Sequence, residues 1–255
     1  MLTLAQLMTA GAWQLSLTHD RADHLLIWIT RGQGVAVFDG TRTGIGTHNA
    51  IFLPARSLMS FELGRQCFGQ ALLLPSEAPL TVASHPIHLR IRDAAAQNEL
   101  TALLEALGRE QSAGRPLAQN AMAAYADLVT VWLRRAHDPQ TSATRVPAAR
   151  RLTRRYSQRV TQRFSDGSSM AEHAADLGVT PTHLTRACKA EIGKTAASLL
   201  TERILHASRT LLTETKAPAR DIARHLGFGS AAYFTRFIQH HTGLPPSALR
   251  NAPHG

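Results

Sequence analysis

Two cysteines in 255 residues, Cys67 and Cys188, are too few for a disulfide framework. They lie far apart in the chain and without metal-ligand spacing, so both read as reduced core thiols. Aromatic residues make up only 5%. No run of about 18 apolar residues occurs, and no charged-then-apolar leader opens the chain, so the expectation is a soluble cytoplasmic protein with no membrane partner. A Gly-rich phosphate loop, a nucleophile elbow and a paired-carboxylate motif are also missing, which leaves catalysis without support and implies no cofactor. The 13 histidines are scattered. Gly46-Thr47-His48-Asn49 offers a single His, and no other follows before His85. No metal site is expected from that pattern.

What the chain has is a unit that occurs twice near its carboxyl end. One copy runs from Ala174 to Gly193 and the other from Ala223 to Gly243. Each has an Ala, then Leu-Gly, then a helix with Thr-Arg, then a closing Gly. Leu177 and Leu226 are 49 residues apart and Arg186 and Arg236 are 50 apart, so the second turn holds one extra residue. Ala174 suits a close helix crossing. Gly178 supplies the positive φ that ends the first helix. Thr180 can cap the next helix with Pro181 in its first turn, as Ser230 can in the second copy. Helical spacing turns Leu184, Ala187 and Cys188 inward, with Phe234, Phe237 and Ile238 in the second copy. Thr182, Thr185, Arg186 and Lys189 are left free on one helix. Ala232, Thr235, Arg236 and Gln239 are left free on the other. Two helix-turn-helix units in register point to double-stranded DNA.

Charge follows the same division. Residues 1–137 hold 11 Lys and Arg against 10 Asp and Glu, whereas residues 138–255 hold 17 against 8. Nearly all of the net +10 lies with the repeated unit, an asymmetry that suits a phosphate-binding module beside a neutral one. Arg150, Arg151, Arg154, Arg155, Arg159 and Arg163 mark a strongly basic helix at the start of that module.

The last hundred residues resemble the DNA-binding domain of the AraC/XylS family of bacterial transcription regulators. The resemblance rests on Leu177 to Pro181 and His183 to Arg186 in the first unit. In the second it rests on Ile222-Ala223, Gly227-Phe228, Ser230, Tyr233 to Arg236, Gly243, Pro246 and Arg250. Ala196 and Leu199 stand where the family usually has Pro and Tyr. Ile238, Gln239 and His240 replace an aromatic and two basic residues, and Leu249 replaces an aromatic. The resemblance implies a sequence-specific regulator, an effector-responsive activator working with RNA polymerase, whose DNA contacts fall on the eight free positions just named.

The front of the chain reads as short strands: 24–30, 35–38, 50–54, 57–63 and 71–74, with an Asp39-Gly40 hairpin turn. Such spacing argues for a small barrel or sandwich. The resemblance implies a cupin-like β-barrel holding a small-molecule effector, with Trp13, His24, Trp28, Phe38, Phe52 and Phe61 as candidate lining. Two helices follow, at 93–110 and 116–135. Leu100, Leu103, Leu104 and Leu107 form a stripe that either closes the open side of the barrel or, as the family resemblance implies, makes a homodimer contact. Residues 138–148 read as a linker, and a third long helix at 195–214 joins the two units. The predicted whole is an α+β two-domain protein: residues 1–137 for effector binding and dimerisation, and an all-α domain of two helix-turn-helix units over 149–255. The competing readings are a metal-dependent cupin enzyme fused to a DNA module and a regulator controlled by a protein partner.

Overall fold

A computed structural model describes residues 1–137 and 146–251. The linker expected at 138–148 falls mostly outside the described residues. The amino-terminal part opens with β1 (Leu2–Thr3), a 3₁₀ turn (Gln6–Met8) and the short helix α1 (Trp13–Ser16). The strands β2 (His24–Arg31), β3 (Gln33–Phe38), β4 (Thr41–Gly46), β5 (Asn49–Leu53), β6 (Ser60–Leu63), β7 (Phe68–Leu74) and β8 (Ile87–Arg90) follow. Helices α2 (Ala94–Ala113) and α3 (Ala118–Ala136) complete it. β4 was not anticipated, because Thr41-Arg42-Thr43-Gly44 lacks an apolar alternation.

The strands pair into two antiparallel sheets, ordered β1-β7-β2-β5-β8 and β4-β3-β6. Among the described residues they do not close into the single expected barrel, and only the isolated His19–Met59 bridge supplements them. The two sheets instead face each other. Leu25, Ile27, Ile29, Ile51 and Leu53 from the larger sheet share one core with Ala36, Phe38, Ile45 and Phe61 from the smaller. The opposite face of the larger sheet, Leu26, Trp28, Phe52 and Leu72, packs under α2 and α3. Both faces of β2 are therefore buried, and its unbroken apolar run is what a doubly covered strand requires.

The leucine stripe of α2 belongs to this second core. Leu100, Leu104 and Leu107 are buried beneath α3 and against the sheet, while Leu103 is half-buried. Three of the four residues expected at a dimer contact are thus occupied within the chain itself. The apolar side chain that α3 leaves in solvent is Leu128.

The carboxyl-terminal part contains α4 (Ala148–Arg163), α5 (Met170–Asp176), α6 (Pro181–Ile192), α7 (Ala196–Glu214), α8 (Ala219–His225), α9 (Ala231–Thr242) and α10 (Pro246–Asn251). It packs on the outer face of the smaller sheet, where Val37 and Leu58 join the core built by Leu152, Tyr156, Leu184 and Leu199. The Asp39-Gly40 turn is central to that contact. Both residues have positive φ, 54° and 69°, the pattern of a tight hairpin. A Cβ on Gly40 would lie 2.6 Å from the Arg154 backbone nitrogen, so only glycine lets α4 approach this closely. Thr153 Oγ1 donates to the Gly40 carbonyl at 2.6 Å, and Arg150 and Arg154 both pair with Asp39.

The segment after α1 grips α7. Asp20, whose carboxylate is fully buried, accepts from Arg203 Nε at 2.6 Å and lies 3.4 Å from Arg56 Nη1. Thr18 donates its backbone N–H and its hydroxyl to Glu202. The His19 ring stacks on His206 with centroids 4.3 Å apart, and Trp13 meets His206 edge-on. Burial, with His206, Arg21 and Arg203 nearby, holds His19 well below its ordinary range. Burial, then Arg203, lowers His206 to about 3.

Both imidazoles are therefore neutral in the folded protein. Below about pH 6.5 the unfolded chain takes up protons that the folded one refuses, so stability falls as the medium is acidified. Between pH 6.5 and pH 5 the loss through His206 is about 2 kcal/mol. Thermal unfolding should show a lower midpoint at pH 5.0 than at pH 7.5, with a smaller difference in His206→Gln. A variant with the full difference would assign the acid sensitivity elsewhere.

Candidate nucleic-acid interface

Each helix-turn-helix unit is built by the same local chemistry. In the first, Ser169 and Glu172 form a reciprocal capping box at the start of α5. Gly178, at φ 72°, ends the first helix, and the Val179 N–H donates to the Ala174 carbonyl at 3.0 Å. Thr180 then caps α6 by accepting from the His183 N–H, with Pro181 at the first helical position. In the second unit Gly227 has φ 75°, the Phe228 N–H reaches the Ala223 carbonyl at 2.9 Å, and Ser230 caps α9 through the Tyr233 N–H. The added residue is Gly229, which lies between the turn bond and the cap and has open space where a Cβ would be. Ala174 and Ala223 are both buried at their helix crossings.

The inward faces are Leu184, Ala187 and Cys188 in α6, and Phe234 and Ile238 in α9. Burial pushes the Cys188 thiol up to about 12, so it behaves as a packing group. Phe237 is half-buried and packs with Phe228 at a ring separation of 5.2 Å.

Thr182, Arg186 and Lys189 are exposed along α6, with Thr185 half-buried between them. Ala232, Arg236 and Gln239 are exposed along α9, with Thr235 half-buried and its hydroxyl donating to the Ala231 carbonyl. The eight positions expected to meet DNA thus form one surface stripe on each helix. Arg186, Lys189 and Arg236 have no ion-pair partner among the described residues. Helix α7 carries one unit at each end and spans about 28 Å at 1.5 Å per residue.

The six candidate ligand residues are not gathered in one place. Trp28 and Phe52 face α2 and α3, and Phe38 and Phe61 face the opposite sheet. His24 accepts the Ala55 N–H and stacks on Phe52. Trp13 lies at the domain junction, beneath the Arg209 guanidinium. Of the six, Phe61 lines an open cleft of about 650 Å³ between the amino-terminal segment and the β6–β7 connection. Leu4, Met8, Leu63, Cys67 and Gln70 also line it. Among the described residues no three His, Cys, Asp or Glu side chains converge as metal ligands would.

Sequence reasoning did not find the Asp20–Arg203 pair or the His19–His206 stack. Their partners are 183 and 187 positions apart, and no local pattern marks them.

Comparison with known proteins matches the helix-turn-helix domain family over residues 173–252. The arabinose operon regulatory protein of Salmonella typhimurium is 27% identical over 85 residues, 33% of this chain and 29% of that protein. This chain therefore spans less than a third of that relative's length. The C-terminal domain of AraT, a response regulator from Geobacillus stearothermophilus, is 28% identical over 42% of this chain and 87% of its own, with a TM-score of 0.37. Unsaturated fatty acid-bound ToxT from Vibrio cholerae is 12% identical, covers 91% of this chain and 88% of its own, and has a TM-score of 0.44. Among the described residues no helix is long and apolar enough to cross a membrane. Over its carboxyl-terminal helices the chain is similar to AraC-type regulators, and residues 173–252 match the helix-turn-helix domain family.

Proposed function

We propose that this protein is a sequence-specific DNA-binding transcription regulator that reads two successive major grooves. The observation that carries the reading is the pair of exposed Arg-bearing helices, presented after matching turns by a single connecting helix. Grooves on one face of B-DNA recur about every 34 Å, a spacing that a rigid α7 is suited to serve. Arg186 and Arg236 are the base-edge contacts, since arginine can grip guanine O6 and N7 together. Thr182, Thr185, Ala232 and Thr235 sit beside them, and Lys189 and Gln239 flank them. Arg186→Ala should cost about 1–3 kcal/mol of specific binding and relax one base position in a selection from random duplexes. An unchanged preference would remove Arg186 from base readout.

In this reading the sheet domain, a cupin-like half built from two facing sheets, receives a small-molecule effector. The cleft at Phe61, Leu63 and Cys67 is its entrance, with a largely apolar wall and the buried Gln70 Oε1, which lacks a hydrogen-bond partner, as a polar anchor. Cys67 reports occupancy. A bound effector should slow its alkylation, followed by mass spectrometry, while buried Cys188 serves as an internal blank. A ligand that raises the melting temperature but leaves Cys67 labelling unchanged would place the site elsewhere.

The regulator acts as a homodimer through the solvent face of α2 and α3, and as an activator it works with RNA polymerase. Because Leu104 is core and Leu128 is surface, the two should respond differently. Leu128→Glu should lower the sedimentation mass while leaving the thermal midpoint in place. Leu104→Asp should lower the midpoint itself. A dimer mass retained in Leu128→Glu would move the contact to another face.

A further inference from the structure

The arginines of α4 are not equivalent once their partners are counted. Arg150 and Arg154 are drawn to Asp39 on the sheet domain. Arg159 pairs with Asp176 at the end of α5, and Arg163 is held by Asp166, Asp176 and Ser168. These four stabilise the fold and the junction between domains. Arg151 and Arg155 remain. Both are exposed, one helical turn apart on the same face, and neither has a carboxylate partner among the described residues. Arg151 makes one hydrogen bond, from Nη1 to the Val146 carbonyl.

These two arginines do not face empty solvent. They form one wall of an open cleft of about 540 Å³ between α4 and α6, and His183 and Arg186 form the other. The floor is apolar, made by Leu152, Leu177, Val179 and Ala187. No Asp or Glu among the described residues lines it. Three arginines converge on one cleft with no acidic side chain among the described residues to balance them, and one of the three is the base-reading Arg186. Such a site favours a polyanion, whose condensed counterions are released on contact. An apolar floor under a cationic rim matches a sugar–phosphate strand, which presents the carbon face of deoxyribose between charged phosphates.

We propose that the α4–α6 cleft is a backbone seat for one DNA strand, with Arg151 and Arg155 holding its phosphates while Arg186 enters the adjoining major groove. The assignment rests on the DNA-binding reading above and adds a role for α4, a helix outside both helix-turn-helix units. Contacts of this kind carry no sequence information, but they fix register and orientation. The seat thereby aligns the first reading helix.

The test uses the full chain and a fluorescein-labelled 30-base-pair duplex, with anisotropy titrations between 50 and 200 mM NaCl, repeated on a second duplex of unrelated sequence. Arg155→Gln should flatten the slope of log affinity against log salt by about 1, Arg151→Gln should act alike, and the double variant should lose about 2. The loss should be equal on both duplexes. Arg31→Gln, at the exposed end of β2, should match the wild type. Arg155→Lys, which keeps the charge, should retain the slope and guards against a folding defect in the glutamine variant. A wild-type slope in Arg155→Gln, or a loss confined to one duplex, overturns the backbone seat while leaving the DNA reading in place. A wild-type protein that binds neither duplex at 50 mM overturns the DNA reading itself, and the seat with it.

Discussion

A carboxylate with no exposure to water organises the junction of this protein. Asp20 lies between the sheet domain and α7, held by Arg203 and backed by Arg56. An unpaired charge there would be strongly destabilising, so the two domains are committed to each other wherever the pair persists. The Arg203 guanidinium also lies 3.7 Å above the Phe164 ring, which links the end of α4 to the same point. Thr18, Glu202, Lys194 and Glu62 extend the polar contact along one side of α7.

That arrangement has a mechanical meaning. α7 is the element that joins the two helix-turn-helix units, and the segment from Trp13 to Asp20 meets it at Glu202, Arg203, His206 and Arg209. Any change in the sheet domain that moves α1 acts on the connecting helix directly. The apolar cleft at Phe61 and Cys67 is lined on one side by Ala12 and Ser16, at the edges of α1. A molecule seated there would press on the same element that grips α7.

The charge of the carboxyl-terminal part is also divided by function. Arginines that meet Asp39, Asp166 or Asp176 hold helices in place, and their charge is largely offset locally. Arg151, Arg155, Arg186 and Arg236 have no such partners among the described residues. A net charge cannot make that distinction, since it depends on which acidic side chain each arginine finds.

Much was legible in order of residues alone. The twin units, their turn glycines, caps and exposed stripes were readable because every contact that defines them lies within a few residues: Thr180 to His183, Ser230 to Tyr233, Ala174 to Val179. Strands β2, β3, β5 and β7 and helices α2, α3 and α7 were readable from apolar periodicity. β4 was hidden because its pairing with β3 needs little apolar character. Two open sheets replaced the expected barrel because pairing register and closure are set between distant strands. The leucines of α2 announced a contact but not its partner, since a helix stripe fits the chain's own sheet as well as a second copy. Local sequence determined the two helix-turn-helix units, whose hydrogen bonds close within single turns. Tertiary structure alone decided the Asp20–Arg203 junction and the sorting of the arginines, because burial and charge pairing depend on residues that meet only after the chain has folded.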